Sequence, residues 1–183
     1  MAIEKKHYVI TGAPSTGKSS VINELKKMNF VCYEEIAREI IKENQETNRN
    51  IFPWVNMREF SDMVYSRMKN RAKHQSNNLC FLDRSVVDLI GYMEFANETA
   101  PIHYAEFAKS SRYAKKVFIM PIWASIYTND QERKESIEEA KMIDNNLRKS
   151  YNKLGFTLID VPMLTIKERA EFILTEIGLQ IQA

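Results

Sequence analysis

Cysteine is scarce: Cys32 and Cys80 are the only two in 183 residues. Two thiols make no disulfide framework, and their spacing matches no metal motif. Both lie in apolar runs, FVCY and LCFL, where buried free thiols in strands are expected. Histidine is almost as rare. His7, His74 and His103 are dispersed, lack metal-ligand spacing, and read as surface or packing residues. No long apolar run precedes the first glycine, so no signal peptide is expected; no membrane span is expected either, and the expected compartment is the cytoplasm. A strong excess of one charge is also missing. The formal net charge is +2 and the basic residues are scattered, which argues against a dedicated nucleic-acid binder. Hydrophobic residues make up 44% and charged residues 27%, the balance of a soluble globular chain. The length suits one domain over residues 1–183 with a sizeable core. Internal repeats and low-complexity linkers are absent from the sequence.

What is present is alternation. Five short apolar runs punctuate the chain: His7–Thr11, Phe30–Tyr33, Leu79–Leu82, Val117–Met120 and Thr157–Val161. Each is β-branched or aromatic and nearly continuous, as strands buried on both faces of a parallel sheet are. Helical patterns separate them. One follows Gly17 as far as Met28, one runs from Trp54 to His74, one from Val86 to Phe95, and a long charged one from Asp130 to Leu154, stopped by Gly155. The last covers about Lys167 to Ile177, with Thr165 as its N-cap. Strand and helix in turn predict an open α/β sheet covered on both faces. The polar stretch Glu43 to Ile51 reads as a surface connection.

The most specific pattern sits at the first strand-to-helix junction. Gly12-Ala13-Pro14-Ser15-Thr16-Gly17-Lys18-Ser19 fits G-x-x-x-x-G-K-[ST], and Ser20 follows it. A strand before and a helix after are the context this motif needs. The two glycines permit backbone conformations and close approach that a side chain would block. The loop N–H groups then wrap a β-phosphate, the helix adds its positive end, and Lys18 brings a full charge to the β/γ oxygens. Ser19 can ligate Mg²⁺. ATP and Mg²⁺ are the expected ligands.

A buried strand ending in an acid is the usual companion of such a loop. Asp83, closing LCFLD, would hold Mg²⁺ directly or through water, or else cap the helix starting near Ser85. Arg84 could clamp an acceptor or a phosphate, or pair with a surface acid. Beyond the second strand stand Glu34, Glu35 and Arg38. Glu34 reads as an acid of a first helical turn. Glu35 reads equally as that or as the group accepting the proton of an attacking hydroxyl, with Arg38 orienting an anionic acceptor. Arg133 and Lys134 fall at the expected start of the long helix, where cations are locally unfavourable. A mobile lid placing Arg133 on the transferring phosphate is one explanation; a solvated charge cluster is the other. Trp54 is expected in the core, with the acceptor pocket as its other place.

Taken together, these segments resemble the NadR-like, AAA-labelled P-loop ATPase family, whose members look like small-molecule kinases. GAPSTGKSS matches its phosphate loop. EIAREII (35–41) is similar to its acid-x-x-Arg-Glu block, FLDRSVVD (81–88) to its Asp-Arg segment, VFIMPIW with IYTNDQERKESIEEA to its strand, Pro-x-Trp turn and lid, and YNKLGFTLIDVP (151–162) to its closing segment. The resemblance implies a P-loop kinase-like, three-layer α/β/α fold with five parallel strands in the order 2-3-1-4-5 and a lid. It implies nucleotide binding through Gly12, Gly17, Lys18 and Ser19, with Glu35, Arg38, Asp83, Arg84 and Arg133 around the cleft. It leaves the acceptor open. One type of member phosphorylates nicotinamide riboside alongside a nucleotidyltransferase domain that is not evident here; others are nucleotide-binding regulators.

The leading expectation is an ATP-dependent kinase of a small hydroxylated, nucleoside-like metabolite, with Lys18 and Arg133 neutralising the γ-phosphate and either Glu35 or Asp83 taking the acceptor's proton. The alternative is a nucleotide-dependent switch or ATPase that binds a protein or lipid. The guanine-reading Asn-Lys-x-Asp pattern is missing, which lowers GTP as the nucleotide. A ring-forming motor ranks last, for want of a following helical domain. No protein partner is identified by the sequence.

Overall fold

Successive side chains of a strand point to opposite faces, and that period of two decides which helix packs where. A computed structural model describes residues 7–75, 78–124 and 136–179. Its strands are β1 (His7–Thr11), β2 (Val31–Tyr33), β3 (Cys80–Asp83), β4 (Lys116–Ile119) and β5 (Thr157–Asp160). They form one parallel sheet in the order β2-β3-β1-β4-β5. Val9, Cys80, Leu82 and Val117 face one side; Tyr8, Ile10, Phe81 and Phe118 face the other.

The second side is covered by α1 (Lys18–Lys27) and α7 (Ile166–Glu176), through Val21, Ile22 and Leu25 and through Ala170, Ile173 and Leu174. The first side carries α2 (Ile36–Glu46), α3 (Met57–His74), α4 (Val86–Phe95), α5 (Ile102–Ser110) and α6 (Ile137–Lys153). This is the expected three-layer P-loop kinase-like architecture with the expected strand order. Each large apolar side chain fully buried in these layers contributes about 1.5–3 kcal/mol. Helix starts are set by local chemistry. Ser85, Ser136 and Thr165 each close a capping box, with Asp88, Glu139 and Glu168 respectively. Gly91 lets α4 lie close against α6: a Cβ there would meet Leu147 Cδ2 at 2.9 Å.

Some expectations need correction. Burial on both faces holds for β1 and β3 and for most of β4, but β2 and β5 are edges, and Val31 is 45% exposed. Cys80 is buried while Cys32, on the edge, is only half-buried. One helix, α5, was not anticipated, and of α2 only a first turn was, nearer Glu34 than its observed start at Ile36. In α2 the stripe Ile36, Ile40, Ile41 is short and flanked by charges. This helix absorbs Glu43–Glu46 from the expected loop, and Asn44 is buried there, its Nδ2 donating to Ile51 O at 2.6 Å. In α5 only Tyr104 and Ala108 are buried. The described part of α6 begins after its Ser136 cap; the expected earlier start at Asp130 falls outside the described residues.

Candidate functional site

The phosphate loop is built on two glycines in backbone conformations that side chains rarely adopt. Gly12 has φ 139°, and a Cβ on it would lie 2.6 Å from Met120 O just past β4. Gly17 has φ 84°, and its Cβ would lie 2.8 Å from Arg169 Nη1. At Gly12 both the φ and the backbone contact call for glycine; at Gly17 the φ does, since the guanidinium end of Arg169 can shift. Thr16 Oγ1 donates to Ala13 O at 3.0 Å, tightening the turn. The Lys18 ammonium donates to Gly12 O at 3.0 Å and to Ala13 O at 2.7 Å. Burial, and after it the Arg84 charge, lower its pKa to about 7. No acid stands in the first turn of α1 and no side chain caps it, so the positive end of that helix is left for an anion.

β3 ends beside this loop, because Asp83 pairs in register with Ile10. Asp83 is 2% exposed. Its Oδ2 accepts from Ser19 Oγ at 3.3 Å, and its Oδ1 is buried with no hydrogen-bond partner. Burial, then repulsion from Glu35, raise its pKa to about 6. Two oxygen donors with an unmet carboxylate oxygen fit the oxygen-only preference of Mg²⁺.

Arg84 follows in the left-handed region, φ 69°, which turns its side chain into the site. Its Nε donates to Glu35 Oε1 at 2.9 Å; its Nη1 donates to Gly12 O and to Asp88 Oδ1, each at 3.1 Å; its Nη2 donates to Tyr92 Oη at 3.1 Å. Burial alone would raise the pKa of Glu35, but Arg84, then Lys18 and Arg38, outweigh it and hold the carboxyl below its usual value. Asp88 is the hidden member. It accepts from Thr11 Oγ1 and Tyr151 Oη, each at 2.6 Å, and from Ser85 N at 2.9 Å, so every oxygen is engaged.

Loop and network open onto one cavity of about 160 Å³. Residues 14–20 form one wall. Glu35, Arg38, Arg84 and Asp88 form a polar end, and Trp54, Met57, Phe60, Val64 and Leu89 form an apolar sleeve. Trp54 is therefore not in the core: it is 47% exposed, stacked on Phe52 with ring centroids 5.0 Å apart. Behind the loop, Arg169 is buried at 5% exposure, donates to Thr16 O at 3.5 Å and lies 5.8 Å from the Trp123 ring centroid.

With this geometry in view, comparison with known proteins is informative. A family model described as "AAA domain" matches residues 7–169. The chain belongs to that AAA-domain family. No curated protein matches it in sequence. Solved structures share its fold. NadR in complex with NR superposes with a TM-score of 0.71 at 15% identity, covering 98% of this chain and 54% of that one. Deoxyadenosine kinase from M. mycoides with bound dATP gives 0.64 at 15% identity, covering 94% and 99%. Shikimate kinase from Aquifex aeolicus gives 0.56 at 17% identity, covering 92% and 94%. At these identities the likeness is one of fold, and the fold is that of P-loop kinases.

In this AAA-domain chain most of the residues singled out from sequence come together. Pro14 to Ser20, Glu35, Arg38 and Arg84 line one cavity; Gly12 and Ala13 hold Lys18; Asp83 stands beside Ser19. Asp83 does not cap α4, since Ser85 does. Arg84 pairs with the buried Asp88 and the half-buried Glu35 rather than a surface acid. Glu34 pairs with Lys26 at the surface, away from the cavity lining. Arg133 and Lys134 lie outside the described residues. Asp88, Tyr92, Tyr151 and Arg169 were not anticipated. For Asp88 a signal existed: an acid inside the apolar run VVDLIGYM, three residues after a serine. Among the described residues no helix is long and apolar enough to cross a membrane.

Proposed function

We propose that this protein transfers the γ-phosphoryl group of Mg²⁺·ATP to a hydroxyl of a small nucleoside-like metabolite. One observation carries the reading: a single cavity has the phosphate loop on one wall and the Glu35–Arg84–Arg38 cluster at its polar end, continued by an aromatic and apolar sleeve. A binding module needs the first wall alone. The second wall is what a phosphoryl acceptor requires, with a charged end for its hydroxyl and an apolar slot for a flat ring.

The roles follow from position. Residues 12–20 cradle the donor phosphates, and Lys18 is released from the Gly12 and Ala13 carbonyls to meet them. Ser19 and Asp83 would hold Mg²⁺, which supplies charge neutralisation on the phosphates. Asp83 does not line the cavity and Glu35 does, so Asp83 takes the metal side and Glu35 the acceptor side. Glu35 is ionised at neutral pH, accepts a hydrogen bond from the attacking hydroxyl and takes its proton as the new O–P bond forms and the bond from the γ-phosphorus to the β-phosphate oxygen breaks, releasing ADP. Its lowered pKa is no handicap, because a loose transition state asks for orientation more than for a strong base. Arg84 fixes Glu35, and Asp88 with Tyr151 fixes Arg84. Arg38 orients the acceptor. Arg133 is assigned the transferring phosphate from its place in the sequence alone. The named relatives, a deoxyadenosine kinase with bound dATP and NadR with NR, support a nucleoside-like acceptor.

The test is a panel of nucleosides and vitamin precursors incubated with purified protein and Mg²⁺·ATP, followed by ADP release and ³¹P NMR of the product. Phosphorylation of a member is expected. ATP binding with no acceptor phosphorylated sinks the kinase reading, and a strong calorimetric preference for GTP favours a switch.

A further inference from the structure

A second cavity, of about 230 Å³, lies beneath the C-terminal half of α3. It runs from Arg84 and Ser85 toward the N-terminal ends of the strands, where His7 and Arg112 line it. Its charged lining is of one sign. Arg71, Arg84 and Arg112 line it, and among the described residues no aspartate or glutamate does. Arg84 is already neutralised by Glu35 and Asp88. Arg71 is not. Its Nη1 donates to a carbonyl, Glu34 O, at 2.7 Å, and its guanidinium lies 5.5 Å from the Tyr33 ring centroid. Its Nε is buried with no hydrogen-bond partner. Burial lowers its pKa in spite of the more distant pull of Glu39 and other groups.

A half-buried arginine on a cavity wall, with no ion pair among the described residues and with a buried N–H unmet, is an unfavourable arrangement by itself. An oxyanion would reverse that. The planar fork of arginine matches the oxygens of phosphate, and an exposed arginine nearby supplies a second charge. Arg112 is exposed and supplies it. We propose that this cavity binds a small, multiply charged oxyanion of the phosphate class through Arg71 and Arg112, separately from the phosphate loop. Met68, Arg84 and Ser85 line both cavities, so an occupant here touches the wall of the first and acts on it through Arg84. The anion is either free phosphate or the phosphoryl group of a metabolite.

Inorganic phosphate is titrated calorimetrically into the Lys18→Ala protein, in which the phosphate loop is silenced. Saturable binding is expected. Adding Arg71→Met should weaken it about tenfold or more, and adding Arg112→Ala severalfold, as for loss of charge-assisted contacts. Circular dichroism checks folding, and if Arg71→Met does not fold then Arg112→Ala, at an exposed position, decides. Lys73→Ala, an exposed cation on the same helix that does not line the cavity, should change nothing. Glycerol phosphate in parallel separates the sources: tighter binding than inorganic phosphate assigns a phosphoryl group on a metabolite, and weaker binding assigns the free ion. Absence of binding into the millimolar range, binding indifferent to both arginines, or equal loss with Lys73→Ala overturns the proposal.

Discussion

Replacing Asp83 by asparagine should make the protein more stable while removing its response to Mg²⁺. A free aspartate titrates near 3.8, and Asp83 in the fold near about 6. Between those values the folded chain holds a proton that the unfolded chain has lost. Stability therefore falls as pH rises from the lower value through the upper, and the full penalty is in force at neutral pH. The gap, at about 1.4 kcal/mol per pH unit, sets a ceiling of about 3 kcal/mol. That ceiling already includes the attraction of Asp83 for Lys18 and Arg84; asparagine keeps an oxygen for Ser19 Oγ but buries a polar amide where Oδ1 has no hydrogen-bond partner, which offsets part of the gain. A net stabilisation of about 1–2 kcal/mol remains, or about 2–8 °C in Tm for a chain of this size. Thermal melts and urea titrations of both proteins near about pH 7.5 and about pH 5 measure it. The wild type should gain on the variant as the pH is lowered. Mg²⁺ should raise the Tm of the wild type only. An Asp83→Asn protein that melts at or below the wild type at neutral pH refutes the reasoning, since the carboxylate would then not be held against its preference.

Lys18→Ala should abolish nucleotide turnover with the fold intact, read by circular dichroism alongside ADP release; unchanged turnover would contradict the cradle. Arg133→Ala should depress kcat more than nucleotide affinity, and a pure loss of affinity would mean ground-state binding instead. Trp54→Ala should raise the acceptor KM with little change in Tm, because the ring lines the cavity while remaining half exposed. Gly91→Ala should destabilise by about 1–2 kcal/mol despite the better helix propensity of alanine. The added Cβ would meet Leu147 Cα and N at 3.2 Å, and backbone cannot swing aside; a neutral or raised Tm would contradict this.

The features legible in the sequence were those tied to fixed spacing or to a period. The phosphate loop is one, since its glycines and lysine act through adjacent backbone. The strands are another, since β1, β3 and β4 each carry three consecutive apolar residues, Tyr8–Ile10, Cys80–Leu82 and Val117–Ile119. Other features depend on neighbours distant in sequence. Nothing local says that β2 and β5 are edges, or that Trp54 lies against a cavity rather than in the core. The short stripe of α2 competes with its charges until tertiary packing decides. Asp88 gathers Thr11, Arg84 and Tyr151 from three separate elements, and only the fold shows that they meet. Arg71 reads as one more cation in the basic end of α3 until the cavity beside it is seen.

The two ends of the first cavity come from different parts of the chain. Its polar end is assembled by the loop after β1, the end of β3 and the first turns of α2 and α4, cross-tied by buried hydrogen bonds. Much of its apolar sleeve comes from α3 and the segment just before it. If the cavity is the proposed active site, chemistry and selectivity are separable. On the proposed kinase reading, exchanges at Trp54 and Met57, which are not fully buried, would retune which acceptor is admitted without disturbing the Asp88 ties, while Phe60 and Val64 also serve the core.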